Sequence, residues 1–211
     1  YAFSLSQRPV SWRCDELALV PCRAVSPRSR SVQSGDTARL GAELRRGPGP
    51  IERPGLAVKR FPCCAATHRA MDCILMLMAE HGFGAGDVAD VDIQVRAGHM
   101  QNLRYPDPQS EFEARFSMQY CAAVALSSGT ISLSDFTPSA VGRPEIRALF
   151  DRITMRAHDL DKANESEADP VPSIVAITLK DGRTVETRQN LQKGDSGNPL
   201  NEAERNAKFD D

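Results

Sequence analysis

Apolar and polar positions fall into regular periods only from about Pro54 onward. In THRAMDCILMLMAEHG, residues Thr67, Met71, Ile74, Leu75 and Met78 recur at the spacing of one helical face, which predicts an amphipathic helix. His81 falls in its last turn, where the helix dipole favours a cation, and Gly82 is a natural stop. DVDIQVRA alternates strictly, with Val91, Ile93, Val95 and Ala97 on one side, and reads as a half-buried strand. SMQYCAAVALSSG reads as a small-residue helix running from a Ser117 cap to Gly129. GRPEIRALFDRI places Pro144 at a first helical position and offers Ile146, Leu149 and Phe150 for burial. SIVAITLKDGRTVETRQ reads as a hairpin folded at Asp181-Gly182, a pair that suits a tight primed turn. DLDKANESEADP, before that hairpin, reads as an acidic surface loop. Helix, strand, helix, helix, hairpin is the order of an α+β fold, not of a doubly wound sheet.

Residues 1–49 show no such period. They are rich in Arg, Ser and Pro (PCRAVSPRSRSVQSG, RRGPGP), with too little patterned apolar surface to offset the entropy of ordering. Residues 1–53 carry nine Arg, no Lys and five acids, a balance of +4, whereas the remainder carries −6. Three readings fit this leader: an irregular or disordered segment, a basic nucleic-acid arm, and the translation of a wrong frame of a GC-rich gene. The second has only Trp12 to stack on bases. A first residue other than Met is expected of a chain whose natural beginning lies further upstream.

Composition changes the picture little. Hydrophobic content of 41% and charged content of 26% are ordinary for a globular protein, and a net charge of −2 gives no electrostatic case for nucleic acid or an anionic membrane. No apolar run reaches the roughly 18 residues of a membrane span, and no signal peptide is visible, so a cytoplasmic protein is expected. The six cysteines (14, 22, 63, 64, 73 and 121) form no C-x-x-C pair, which favours reduced, mostly buried thiols over a metal site or a disulfide framework. Dinucleotide, phosphate-loop, nucleophile-elbow and zinc-helix motifs are all absent.

One stretch concentrates chemistry. In VKRFPCCAATHRAMD, Pro62 keeps Phe61 extended before the chain enters the first helix, so the amides near Cys64 to Thr67 lie at a helix N-terminus. Lys59, Arg60, His68 and Arg69 add positive or protonatable groups beside it. Together they suit a carboxylate-rich ligand, which needs several cationic partners and a group that transfers a proton. The plainer alternative is surface charge at Lys59 and Arg60 and a histidine bonded to a backbone carbonyl.

GLAVKRFPCCAATHRAMD resembles the K-x-[FY]-P-x-C-x-x-x-H segment of the 2-methylcitrate dehydratase family (MmgE/PrpD). EARFSMQYCAAVAL, GRPEIRALFDRI and ITLKDGRTVETRQ running into KGDSGNPLNEAERNAKF resemble the same family in the same order. The resemblance covers about residues 50–211 and implies the smaller, C-terminal lid-type α+β domain, in a family whose chains are about twice this length. It also implies a cofactor-independent lyase for small polycarboxylates, by dehydration of 2-methylcitrate, decarboxylation of cis-aconitate or epimerisation of iminodisuccinate, and a homodimer in the full-length proteins.

Carried over by position, Lys59 resembles the motif lysine, for carboxylate binding or proton transfer, and His68 the motif histidine. Cys64 stands five residues after Lys59, where the decarboxylases have histidine; that departure favours the dehydratase or epimerase branch, with Cys64 as a proton carrier or a packed small residue. Arg60 and Arg69 are candidate substrate cations, and Asn102 and Tyr105 fall in HMQNLRYPDP, a loop facing substrate in the family. Ser117, Gln119 and Tyr120 match too, but read equally well as packing, and His99 and His158 read as surface residues. The resemblance implies that most of the catalytic groups lie on the helical domain this sequence lacks, so negligible turnover is expected of this chain alone. A non-catalytic small-acid-binding or interaction module is the alternative.

Overall fold

The computed structural model describes residues 55–158 and 171–209, and the fold is that of the unit Pro50–Asp211. The leader (1–49) and the acidic segment before the hairpin (159–170) lie outside the described residues.

Four strands form one mixed sheet: β1 (Val88–Val95), β2 (Ile153–Ala157), β3 (Ser173–Leu179) and β4 (Thr184–Gln189), in the order β2-β1-β3-β4. β1 runs parallel to β2 and antiparallel to β3, with Val91 opposite both Ile153 and Ile177. Two longer helices cover one face, α1 (Ala65–His81) on β3 and β4, and α4 (Met118–Ser128) beside it on β2. Between β1 and β2 the chain also makes α2 (Ala97–Asn102), α3 (Glu111–Arg115), α5 (Pro138–Val141) and α6 (Pro144–Arg147), and it ends in α7 (Glu202–Phe209). Mixed α+β content on a single sheet is the expected class. Among the described residues no helix is long and apolar enough to cross a membrane.

The core lies between the sheet and these two helices. Val91, Ile93 and Val95 on β1 and Val175, Ile177 and Leu179 on β3 alternate inward and are almost wholly buried. Asp92 faces the other way and takes a two-pronged ion pair from Arg156 of β2, with contacts of 2.9 and 2.8 Å. α4 can sink against α1 because its buried face is mostly small, with Ala122, Ala123 and Ala125 fully covered. The Ser117 hydroxyl accepts from the Tyr120 N–H at 3.1 Å, so the expected cap is present, and Gly129 ends the helix.

Several expectations need correction. β1 ends at Val95, and Ala97 starts α2, so the substrate-facing loop expected after the strand is partly helical. The buried stripe of α1 runs through Ala70, Cys73 and Leu77 as well as Met71 and Ile74, leaving Leu75 and Met78 half-buried. GRPEIRALFDRI is not one helix. α6 stops at Arg147, and Ile153 instead opens β2, where a β-branched side chain fits the gap beside Val91.

The hairpin is present, but its turn is not the primed one. The Leu179 N–H donates to the Arg183 carbonyl at 2.8 Å, closing a loop of three residues, Lys180 to Gly182; Gly182 alone is left-handed (φ +88°), and the Leu179 carbonyl accepts from its N–H at 3.0 Å. Asp181 keeps an ordinary φ, which the three-residue loop allows and the two-residue primed turn would not.

Candidate functional site

The start of α1 is fixed by backbone on both sides. Pro62 cannot join the helix, and Cys64, in the cap position with ψ 131°, has no side-chain capping bond. The Cys64 carbonyl instead accepts from the Thr67 N–H (3.0 Å) and the Thr67 hydroxyl (2.8 Å). The Cys64 N–H donates to the Arg115 carbonyl at 2.9 Å, and Arg115 Nη1 returns a bond to the Pro62 carbonyl at 2.6 Å. α1 has 17 residues and no acidic residue in its first turn. The positive end of a long dipole is therefore left without a carboxylate of its own.

A cleft of about 410 Å³ opens at this end. Cys64, Ala65, Ala66 and Arg69 form the α1 wall, His99 and Asn102 of α2 face them, and residues 190–192 with Asp195 close the third side. Arg69 is half-buried there; its Nη1 donates to the carbonyls of Val171 (2.8 Å) and Asn190 (3.2 Å), which holds the guanidinium in one place. Burial, and next the charge of Arg96, lowers its pKa from the ordinary arginine value, so a ligand carboxylate would relieve an unfavourable desolvation. A half-buried cation beside an uncompensated helix end is a site for an organic anion.

Of the residues expected from sequence, the structure brings together Cys64, Arg69 and Asn102. Lys59 is exposed on an extended segment whose Val58 N–H donates to the Gly194 carbonyl at 2.7 Å, next to the cleft-forming loop but not on its wall. Arg60 turns away. Its guanidinium pairs with buried Asp72 at 2.9 Å and reaches Glu204 at 4.0 Å, and it lines a separate, larger concavity of about 580 Å³. That larger hollow is the weaker candidate because its arginine is already neutralised. His68 is entirely buried, edge-on to Phe61 with ring centres 5.4 Å apart, so it does not touch the cleft. Tyr105 is half-buried against Phe112 (6.5 Å between ring centres) and is not on the cleft wall either.

Two histidines read as surface residues are placed otherwise. His99 is half-buried on the cleft wall, and His158 is buried where its N–H donates to the Val95 carbonyl at 2.8 Å. The wall after β4 was also missed. Its signal is the polar NLQKGDSGNP run, which the Asp195–Asn198 bridge folds back under α1. Tyr120 belongs to packing, buried with its hydroxyl donating to the Asp135 carbonyl, whereas Gln119 is half-buried and lines a different hollow beside Arg147 and Phe150. Among the described residues, no three His, Cys, Asp or Glu side chains are grouped to hold a metal.

A family model described as the MmgE/PrpD C-terminal domain matches residues 61–211. Cis-aconitate decarboxylase of Mus musculus is 30% identical over 164 residues, covering 75% of this chain and 33% of that protein. Cis-aconitate decarboxylase of Homo sapiens is 30% identical over 169 residues, with the same coverages. The chain thus spans about a third of the length of the curated relatives it matches.

Proposed function

The chain belongs to the MmgE/PrpD family, whose matched relatives are lyases, and from that premise we propose that it is the C-terminal part of a cofactor-independent lyase for small polycarboxylates. The observation that carries this reading is the cleft at the uncapped end of α1, with Arg69 held at its wall. Arg69 and the first-turn amides bind substrate carboxylates, and Asn102 donates to a hydroxyl or carboxyl oxygen. Cys64, His99 and Asp195 are the wall groups able to exchange a proton, with Cys64 and His99 the pair proposed here; Lys59 reaches in from the adjacent segment once a ligand draws it.

Within the lyases the favoured reaction is dehydration of the 2-methylcitrate type. A proton leaves the carbon next to a carboxylate and a hydroxyl leaves its neighbour, so one group must accept a proton and another must donate one. Cys64 and His99, both on the cleft wall, offer a thiol and an imidazole for those tasks. An iminodisuccinate epimerase would use the same pair without loss of hydroxyl. Decarboxylation of cis-aconitate is the second reading, favoured by the names of both curated relatives, and a homodimer is the assembly proposed for the full-length enzyme.

Calorimetry on the 211-residue chain with 2-methylcitrate, citrate and cis-aconitate tests the site. Binding that Arg69→Ala removes is expected, with negligible turnover, because this chain holds only one side of a catalytic site. Absence of binding to every acid sinks the polycarboxylate reading. Release of carbon dioxide from cis-aconitate, without dehydration of 2-methylcitrate, selects the second reading over the first.

A further inference from the structure

β4 lies at the outer edge of the sheet, paired with β3 and with no other strand among the described residues. The Leu179 N–H donates to the Arg183 carbonyl at 2.8 Å, and from that point bonded and non-bonded pairs alternate along the antiparallel ladder. Val185, Thr187 and Gln189 therefore turn their backbone groups toward β3, while the N–H and C=O of Thr184, Glu186 and Arg188 point away from the sheet. The side chains alternate too. Val185, Thr187 and Gln189 are half-buried on the α1 side, and Thr184, Glu186 and Arg188 are exposed on the opposite face. Neither Glu186 nor Arg188 has an ion-pair partner among the described residues. No proline interrupts TVETRQ, and its register against β3 is continuous. An edge left open in this way is a template for one more strand.

The charge pattern of the edge selects a second copy of itself. Two β4 strands can pair antiparallel only with outward-pointing residues opposite each other, so the allowed registers differ by shifts of two residues. Centring the pair on Glu186 or on Arg188 sets like charges face to face across the twofold axis, and centring it on Val185 runs the pairing into the hairpin turn at Gly182. Centring it on Thr187 sets Glu186 of each copy opposite Arg188 of the other, on the same exposed face, and each such pair exchanges both of its backbone hydrogen bonds. We propose that two copies of this chain join edge to edge through β4, antiparallel about an axis at Thr187, so that their two sheets become one. The contact is the same patch on both copies and closes on itself, so assembly stops at a dimer. It rests on the β4 edge and not on the cleft, and it gives the homodimer proposed above a contact on this part of the chain. A single strand pair buries little surface, which places the dimer in the weak, transient class.

Sedimentation of the full 211-residue chain tests the pairing. The wild-type chain should dimerise as its concentration rises to the order of 100 µM, as suits a small transient interface. Glu186→Arg and Arg188→Glu each put like charges opposite one another on both sides of the axis, and each alone should weaken the dimer by about tenfold or more. Both positions are exposed, so the circular dichroism of each variant should match that of the wild type. An equimolar mixture of the two variants restores opposite charges at every pair, and so does the double variant; both should dimerise as the wild type does. A wild-type chain that stays monomeric overturns the proposal. So does a dimer indifferent to the single substitutions, which would put the homodimer on another surface, and so do variants that fail to associate when mixed. None of these results bears on the lyase reading, which calorimetry at the cleft tests by itself.

Discussion

The backbone N–H of Val58 meets the carbonyl of Gly194 at 2.7 Å, and the approach is so close that residue 194 has no room for a side chain. A β-carbon built there would lie 1.9 Å from the Val58 carbonyl oxygen, at a φ of +90° that L residues avoid. This contact joins the segment bearing Lys59 to the loop that forms one wall of the cleft. Gly194→Ala should therefore cost more than the roughly 1–3 kcal/mol of left-handed strain alone. Thermal unfolding should show the loss, and hydrogen exchange should rise first at residues 55–60. Unchanged exchange there would mean that the two segments are not coupled.

Asp72 braces the same junction from below. Its buried carboxylate takes Arg60 on one oxygen at 2.9 Å and the Lys193 N–H on the other at 2.7 Å. Asp72→Ala leaves the half-buried guanidinium with only Glu204 at 4.0 Å and the Lys193 N–H without a partner, a loss of about 2 kcal/mol. Denaturant titration measures it, and a change below about 0.5 kcal/mol would assign Arg60 to solvent instead.

Arg69 and Cys64 should separate in a binding experiment. Arg69→Ala removes the fixed cation and should weaken a citrate-class ligand by about ten- to a hundredfold, the worth of a charge-assisted hydrogen bond. Cys64→Ser keeps size and polarity, so affinity should change less than about threefold while any proton exchange into the ligand slows. Calorimetry reads the first and deuterium incorporation the second. Equal effects of the two substitutions on affinity would show that Cys64 binds and does not transfer a proton.

Alkaline pH should expose a buried thiol. Cys73 is wholly covered, and burial, with Asp72 next in weight, raises its pKa from 9.0 to about 12. The folded chain then holds this proton more tightly than the unfolded chain does. Its contribution to stability is complete below pH 9 and is lost as pH rises toward 12. Cys73→Ala should flatten the fall in unfolding midpoint across that window, at some cost in packing at neutral pH. An identical slope in the variant would assign alkaline unfolding to other groups, such as Tyr120, whose pKa burial also raises.

Local chemistry made much of this protein legible. The Ser117 cap, the stop at Gly82, the inward alternation of Val91, Ile93 and Val95, and the hairpin near Asp181-Gly182 are set by residues within a few positions of each other. The start of α1 after Pro62 was legible for the same reason, and it brought Cys64 and Arg69 into view as one site. The tertiary structure decided what depends on distant partners. Ile153 is a strand residue because Val91 lies beside it, and the turn tightens onto Gly182 because the β3–β4 register leaves three residues to connect. The fate of each polar group at the helix entrance is likewise a matter of what packs above it. Phe61 and the core enclose His68, Asp72 claims Arg60, and the loop after β4 leaves Arg69 at an open cleft. A sequence fixes the charge and period of such groups, but which of them stays free for a ligand is settled only when segments more than a hundred residues apart, such as Arg69 and Asn190, meet.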